Sequence, residues 1–133
     1  MSNGRKGLGD LKAFISKYLS KHSETDEQHK DEQLVTHYYK AKRDDVFQAV
    51  EELFSSSTIA GSSRERGEIT VRYKGKRKAF VVATVIMVRP FRTAVDFSVT
   101  TDSGGPVDFG YSRNLILNFY DQLDQKFTVI DPD

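Results

Sequence analysis

The fold is decided by the stretch AFVVATVIMV at residues 79–88 and by RPFRTAVDFSVT, which follows it at residues 89–100. The first stretch is apolar and mostly β-branched, which is typical of a strand in the middle of a sheet, although a helix is a rival interpretation of a short apolar run. The second stretch settles the choice, because apolar residues alternate from Phe91 to Val99 with the period of a half-buried strand. Together they predict a β-hairpin that turns at Arg89-Pro90.

Three further strands are predicted around this hairpin. Each is a short run of aromatic, β-branched or alternating residues next to turn or charged segments. They cover Leu34–Lys40, residues 58–60 and Glu68–Lys74. With the two strands of the hairpin they make a sheet of about five strands.

Two helices are predicted from apolar residues at helical spacing. The first begins near Arg43, where Asp45 and Gln48 are spaced like a capping box. The second runs from about Asp108 to Phe127, with Asp108 as its expected N-cap. The order β-α-β-β-β-β-α predicts an α+β fold in which both helices cover one face of an antiparallel sheet.

One face of that sheet has no helix to cover it. We expect Val81, Val85 and Met87 to lie on this uncovered face. Its cover would come from a second copy of the chain or from an amphipathic helix predicted over residues 8–19. The apolar stripe of that helix includes Leu11 and Phe14.

The chain is predicted to divide into two parts. Residues 1–33 would form the N-terminal amphipathic helix and a polar linker, because residues 20–33 contain no large apolar side chain. Residues 34–133 would form a single α+β domain that stays folded when residues 1–33 are deleted. The helix over residues 8–19 carries Lys12 and Lys17 and is followed by Lys21, so a position on a membrane surface is a second interpretation of it.

Composition excludes several classes of function. Twenty Lys and Arg residues against nineteen Asp and Glu give a net charge of +1, so no overall charge bias points to nucleic acid. The chain has no cysteine, which excludes disulfides and zinc ribbons and fits a reducing compartment. No apolar run reaches the roughly 20 residues of a membrane span, and the N-terminus lacks a signal-like apolar core. We expect a cytoplasmic protein.

Four segments carry a family resemblance. They are THYYKAKRDDVFQAVEELF at 36–54, GEITVRY at 67–73, VRPFRTAVDFSV at 88–99 and DFGYSRNLILNFYDQLDQ at 108–125. Their pattern resembles a small family of uncharacterised bacterial cytosolic proteins and is remotely similar to the DUF1499 families. The strand order is similar to TATA-binding-protein-like and helix-grip folds. The resemblance implies a fold and no activity.

The word DFGYSR at residues 108–113 is the most distinctive short motif. Asp108, Gly110 and Arg113 would contact an anion or ligand at the start of the last helix, where free backbone N–H groups favour negative charge. The alternative interpretation is purely structural: a helix cap, a close helix–sheet contact and an exposed arginine. A kinase DFG motif is excluded, because the chain lacks a glycine-rich phosphate loop and an HRD segment.

A basic hairpin turn is the second candidate site. Arg72, Lys74, Lys76, Arg77 and Lys78 surround Tyr73, and the first four of them could contact the phosphates of a nucleic acid. The alternative is a solvated sheet edge, because lysines commonly protect such edges. The neutral overall charge makes nucleic acid the weaker interpretation.

No catalytic or metal-binding arrangement is apparent. His37, Arg92 and Asp96 are polar residues in strands, and a histidine without an orienting partner is not a base. His22 and His29 lie in the polar linker without a third ligand. We therefore expect no enzyme activity, no cofactor and no metal.

Three functions are compatible with these features. The leading hypothesis is a non-catalytic module whose sheet binds a protein partner or a second copy of itself. The second is a helix-grip domain that encloses a small molecule or lipid in a cavity lined by Phe91, Phe97, Phe119 and Tyr120. The third is nucleic-acid binding through the basic hairpin.

Overall fold

The computed structural model describes residues 21–101 and 110–131, and these form one sheet with two helices packed on it. The elements, in chain order, are β1 (His22–Glu24), a 3-10 turn (Glu32–Leu34), β2 (His37–Tyr39), α1 (Arg43–Leu53), β3 (Thr58–Ser63), β4 (Glu68–Lys74), β5 (Lys78–Arg89), β6 (Arg92–Thr101), α2 (Tyr111–Lys126) and β7 (Val129–Ile130). The N-terminal helix predicted over residues 8–19 lies outside the described residues.

The central hairpin forms as its sequence predicts. β5 and β6 pair in antiparallel register from Ala79 opposite Thr101 to Met87 opposite Thr93. The register shifts next to the turn, between Met87 and Arg89. Phe91 occupies the turn with a φ of 58°, in the left-handed region that side chains other than glycine rarely adopt.

The α+β class and the antiparallel sheet are confirmed, but the sheet has seven strands and not about five. Its order is β3-β4-β5-β6-β2-β7, and β1 pairs with β6 beside β2. The two additional strands, β1 and β7, contain three and two residues. Segments this short show no recognisable alternation, so only the pairing partner reveals them.

The predicted linker contributes to the sheet. β1 and β2 lie in line along the same edge of β6, because His22 pairs with Thr100 and Tyr38 pairs with Ala94. The chain leaves β6 between them and makes the 3-10 turn. The division at residues 33 and 34 stays a prediction, but residues 22–24 are strand and not linker.

Two buried threonines close the gap between β1 and β2. Thr25 and Thr36 each donate a hydroxyl hydrogen bond of 2.6 Å to Oδ1 of Asp96 on β6. Thr25 Oγ1 also accepts a 3.0 Å bond from the backbone N–H of Phe97. Hydrogen bonds to an ionised partner are the stronger kind, so Asp96 fastens both ends of the 25–36 loop to the sheet.

Helix α1 begins three residues earlier than the predicted capping box would require. Its N-cap is Lys42, without a side-chain cap, so the predicted capping box of Asp45 with Gln48 is wrong. Asp44 and Asp45 instead lie in the first turn, where their carboxylates interact favourably with the positive end of the helix dipole and stabilise the helix.

Helix α2 buries the apolar stripe that its sequence predicts. Leu115, Ile116, Phe119 and Leu123 are buried, and Phe127 follows as the C-cap. The helix is observed over Tyr111–Lys126 with Gly110 as N-cap at a φ of 79°, and Asp108 lies outside the described residues.

The helices cover the face of β5 that we predicted to be uncovered. Val81 and Val85 are fully buried beneath them, whereas Phe80 and Ile86 on the other face are exposed. Both faces of β5 are apolar, so its sequence could not decide which one meets the helices. The choice follows from the register with β6, whose residues Val95, Phe97 and Val99 are buried on the helix side.

We predict that residues 21–33 stabilise the fold. The sequence had led us to expect that residues 1–33 could be deleted without effect on folding. A chain that begins at residue 34 loses β1 and the Thr25–Asp96 bond, and a chain that begins at residue 21 keeps both. The shorter chain should be less stable by at least about 2 kcal/mol, the scale of one hydrogen bond to a charged group. Urea denaturation of the two truncated chains measures this difference, and equal midpoints would contradict the role given to β1.

Candidate functional site

The side of the sheet opposite the helices is a broad surface that no described element covers as a layer. We call it the open face; it is formed by Glu68, Thr70, Arg72 and Lys74 of β4, Lys78, Phe80, Val82, Thr84 and Ile86 of β5, and Arg92, Ala94, Asp96, Ser98 and Thr100 of β6. Phe80 is 46% exposed and Ile86 is 53% exposed. These two exposed apolar side chains, with the half-buried Val82 between them, mark the open face as a candidate interaction surface.

Charge on the β4 and β5 part of the open face is divided into a basic end and an acidic end, and Arg92 of β6 lies beyond the acidic end. The basic end is at the β4–β5 turn, where Lys74 pairs with Lys78 and Arg72 pairs with Phe80. The acidic end lies further along the same strands, where Glu68, Thr84 and Asp96 form one cross-strand row. Since neighbouring rows on one face are about 7 Å apart, the two ends are well separated.

The charged side chains of β4 and β5 on this face have no partner within the described part of the chain. Glu68, Arg72, Lys74 and Lys78 make no ion pair or side-chain hydrogen bond there. All four are exposed. They are therefore available to a surface that docks on the sheet.

The residues predicted to bind nucleic acid do not all face the same way. Arg72 and Lys74 lie on the open face, where they line a groove of about 510 Å³ together with Lys78 and Phe80. Lys76 lies in the turn and is exposed. The Arg77 guanidinium lies 5.9 Å from the centre of the Tyr111 ring, beside the start of α2. The groove thus joins Lys78 of the predicted basic cluster to Phe80, which the sequence predicted only as part of the central hairpin.

The predicted anion site is held together by an internal ion pair. Arg113 Nε donates a 2.7 Å bond to Oδ2 of Asp31, and its Nη2 bonds to Gln33 Oε1. The guanidinium beside Asp31, together with the backbone N–H of Gln33, lowers the pKa of that carboxyl. Gly110 is the exposed N-cap, and Asp108 lies outside the described residues. Arg113 thus fastens the 3-10 turn to α2, which favours the structural interpretation.

His37 has an orienting partner that the sequence did not reveal. Its Nδ1 lies 3.0 Å from Oδ1 of Asp124 on α2, and the Tyr39 hydroxyl donates a 2.7 Å bond to the same oxygen. The imidazole stacks on the Tyr120 ring with centres 3.6 Å apart. Burial and the bond to Asp124 raise the pKa of Tyr39. The cluster connects β2 to α2, and the 87-residue separation between His37 and Asp124 hid it from pattern analysis.

The aromatic residues expected to line a helix-grip cavity mostly pack against one another. Phe97 lies 5.2 Å from both Phe119 and Tyr120, measured between ring centres, and Phe119 lies 5.1 Å from Phe54. These separations are those of edge-to-face and tilted ring contacts, which fill the space between sheet and helices. Phe91 is 54% exposed at the hairpin turn and does not reach this layer.

Two classes of site are not found in the described residues. Residues 21–101 and 110–131 contain no group of three His, Asp or Glu side chains placed to hold a metal ion. Within the same ranges, neither helix has the length and apolarity needed to span a bilayer.

We predict that the Asp31–Arg113 pair makes stability depend on pH. The folded pKa of Asp31 lies below its ordinary value of 3.8, so the pair stabilises the protein above about pH 4 and loses this effect as the pH falls further. Asp31→Asn should therefore lower the urea midpoint at pH 6, and the difference from the original chain should shrink as the pH falls below 4 and disappear once the folded carboxyl is protonated.

The matched control is Glu32→Gln, which removes an exposed neighbouring carboxylate that has no described partner. It should leave the midpoint at pH 6 unchanged. A pH-independent effect of Asp31→Asn would show that the amide disturbs the turn by some route other than the lost charge.

Comparisons with known proteins add no relatives to this picture. No family model matches the chain, and neither a curated protein nor a solved structure is similar enough to count as a match. The resemblance to DUF1499 and to TATA-binding-protein-like folds therefore stays a prediction, and the function must be argued from the surface itself.

Proposed function

We propose that this protein is a non-catalytic self-association module that dimerises through the open face of its sheet. The observation that carries the proposal is the exposure of Phe80 on that face, flanked by charged side chains without internal partners. Burying apolar area of this kind drives most protein association.

The distribution of charge on the open face is complementary to itself. We place a two-fold axis in the plane between two facing sheets, perpendicular to the strands and between Phe80 and Val82 of β5. Each strand then lies over the same strand of the other copy and runs in the opposite direction. Lys74 of one copy then lies over Glu68 of the other, and Phe80 lies over Val82. The row of Lys74 and Lys78 meets the row of Glu68 and Asp96, and the rows of Phe80 and Val82 meet each other between them. A two-fold axis parallel to the strands would instead bring like charges together, so the charges select one packing direction.

The geometry of sheets permits this arrangement. Two sheets pack face to face at about 10 Å with their strands about 30° apart, and their inner side chains interdigitate. The half-buried threonines and serines of the open face, such as Thr70 and Ser98, are small enough to allow close approach around Phe80. The predicted cover for the sheet is therefore a second copy of the chain.

We predict that single charge reversals weaken the dimer and that the paired reversal restores it. Lys74→Glu or Glu68→Lys replaces two ion pairs per dimer by two like-charge contacts, which should raise the dissociation constant roughly tenfold or more. The double variant Lys74→Glu/Glu68→Lys recreates both pairs in reverse. Sedimentation equilibrium measures all three constants.

Mixing provides a sharper version of the same experiment. The two single variants should form a heterodimer with each other, because every facing pair is then opposite in charge. Phe80→Ser should abolish association, whereas the control Ile59→Ser, an exposed residue on the helix side of the sheet, should not. A monomer at all concentrations would refute the proposal, and a dimer indifferent to every open-face change would place the interface elsewhere.

Nucleic-acid binding is the second candidate, favoured by one observation. Arg72, Lys74 and Lys78 surround the exposed ring of Phe80 in the 510 Å³ groove, and cations beside an aromatic ring are the usual elements of a single-strand binding site. This use of the groove competes with the dimer, because both need Phe80.

We predict that, if the groove binds nucleic acid, a fluorescent single-stranded oligonucleotide will bind at low salt and dissociate as salt rises. Arg72→Gln should weaken binding, the distant control Lys30→Gln should not, and Glu68→Lys should strengthen binding while it disrupts the dimer. Fluorescence anisotropy distinguishes the cases. Absence of binding at low salt would eliminate this candidate.

A further inference from the structure

The turn of the central hairpin carries a second exposed apolar surface, separate from the centre of the open face. We call residues 86–92 the hairpin tip; its sequence is IMVRPFR. Ile86, Met87, Val88 and Phe91 are each between 45% and 54% exposed. Four large apolar side chains at the end of one hairpin exceed the scattered apolar exposure that is normal for a protein surface.

Exposure at the tip occurs on both sides of the sheet. Ile86 pairs with Ala94 and belongs to the open face, whereas Met87 pairs with Thr93 and belongs to the helix side. A flat protein partner that covers one side would leave the other in water. A lipid interface surrounds an inserted hairpin and covers both sides at once.

Phe91 occupies a position where a small residue would be easier to accommodate. Its φ of 58° lies in the left-handed region, which glycine and asparagine adopt at lower cost than a bulky aromatic side chain. The ring gains no burial in return, since it is 54% exposed. Backbone strain of this kind collects at functional positions.

Cations surround the tip. Five basic residues lie in it or beside it, and the acidic residues next to them are Asp44, Glu65 and Asp131; the five are Lys42, Arg43, Arg66, Arg89 and Arg92. Arg43 and Arg92 also donate hydrogen bonds to backbone carbonyls, those of Glu65 and Asp131 among them. The Lys42 ammonium lies 6.0 Å from the centre of the Phe91 ring. The tip itself contains no acidic residue. Anionic lipid headgroups attract such cations, and long basic side chains remain at the headgroup level while apolar neighbours insert.

We propose that the hairpin tip inserts into the interface of an anionic membrane, with Met87, Val88 and Phe91 among the acyl chains and the surrounding cations at the headgroups. The attachment is peripheral and rests on the tip alone. It does not depend on the dimer, because the proposed interface is centred on Phe80 and Val82, several rows away.

The experiment is co-sedimentation of the full-length protein with vesicles, one set of phosphatidylcholine alone and one that also contains phosphatidylserine. We expect binding to the phosphatidylserine vesicles that weakens as salt increases. Phe91→Ser should weaken it roughly tenfold or more. Lys42→Gln and Arg66→Gln should each weaken it roughly fivefold. Ile59→Ser is the control, since it removes an exposed apolar side chain of β3 that lies outside both the hairpin tip and the open face, and this variant should bind as the original chain does.

A fluorescent reporter identifies which part of the chain inserts. The chain contains no tryptophan, so Phe91→Trp introduces a single indole whose emission should shift to shorter wavelength when phosphatidylserine vesicles are added. Phe80→Trp should show no such shift. Circular dichroism checks that both variants are folded.

Three results would overturn the proposal. One is the absence of binding to phosphatidylserine vesicles at low salt. Another is binding that is unaffected by the Phe91 and Lys42 variants, which would place the membrane contact elsewhere in the chain. The third is that Phe91→Ser abolishes self-association while no vesicle binding is observed. The tip would then be part of a protein interface.

Discussion

Antiparallel pairing along both edges of β6 (Arg92–Thr101) is the constraint on which the remaining structure depends. One edge pairs with β5 over its whole length, and the other is shared between β1 and β2. That shared edge works only because Asp96 accepts hydroxyl hydrogen bonds from Thr25 and Thr36, where the chain leaves and rejoins the strand. Without these bonds a carboxylate and two buried hydroxyls would remain unsatisfied at the break.

Two helices are enough to bury one face of this sheet and not both. Their stripes meet a layer of rings, Phe54, Phe97 and Phe119, whose edge-to-face packing fills the interior. The ion pair of Arg113 with Asp31 and the contact of Asp124 with His37 use the polar side of α2 to hold the chain between β1 and β2. Arg113 and Asp124 of α2 are thus engaged within the fold, whereas Glu68, Arg72, Lys74 and Lys78 of the open face have no ion pair within the described residues.

The two proposed surfaces have a simple geometric relation. In a face-to-face dimer with antiparallel strands, each hairpin tip extends past the turn end of its partner, so the two tips point in opposite directions. One flat membrane then engages one tip per dimer, and a dimer between two vesicles engages both. Association through Phe80 and insertion through Phe91 can therefore occur in the same molecule.

By itself, the sequence determined the central hairpin, the strand Glu68–Lys74, the two helices and the α+β class, because each is long enough to show its period of 2 or 3.6 residues. It also pointed to Arg72 and Lys74 as charged residues without an internal role. Only the tertiary structure decided that β1 and β7 are strands, that Val81 faces the helices and Phe80 does not, and that His37 meets Asp124. These outcomes depend on pairing register and on contacts between residues as far apart as Tyr38 and Ile130, and no local pattern records either.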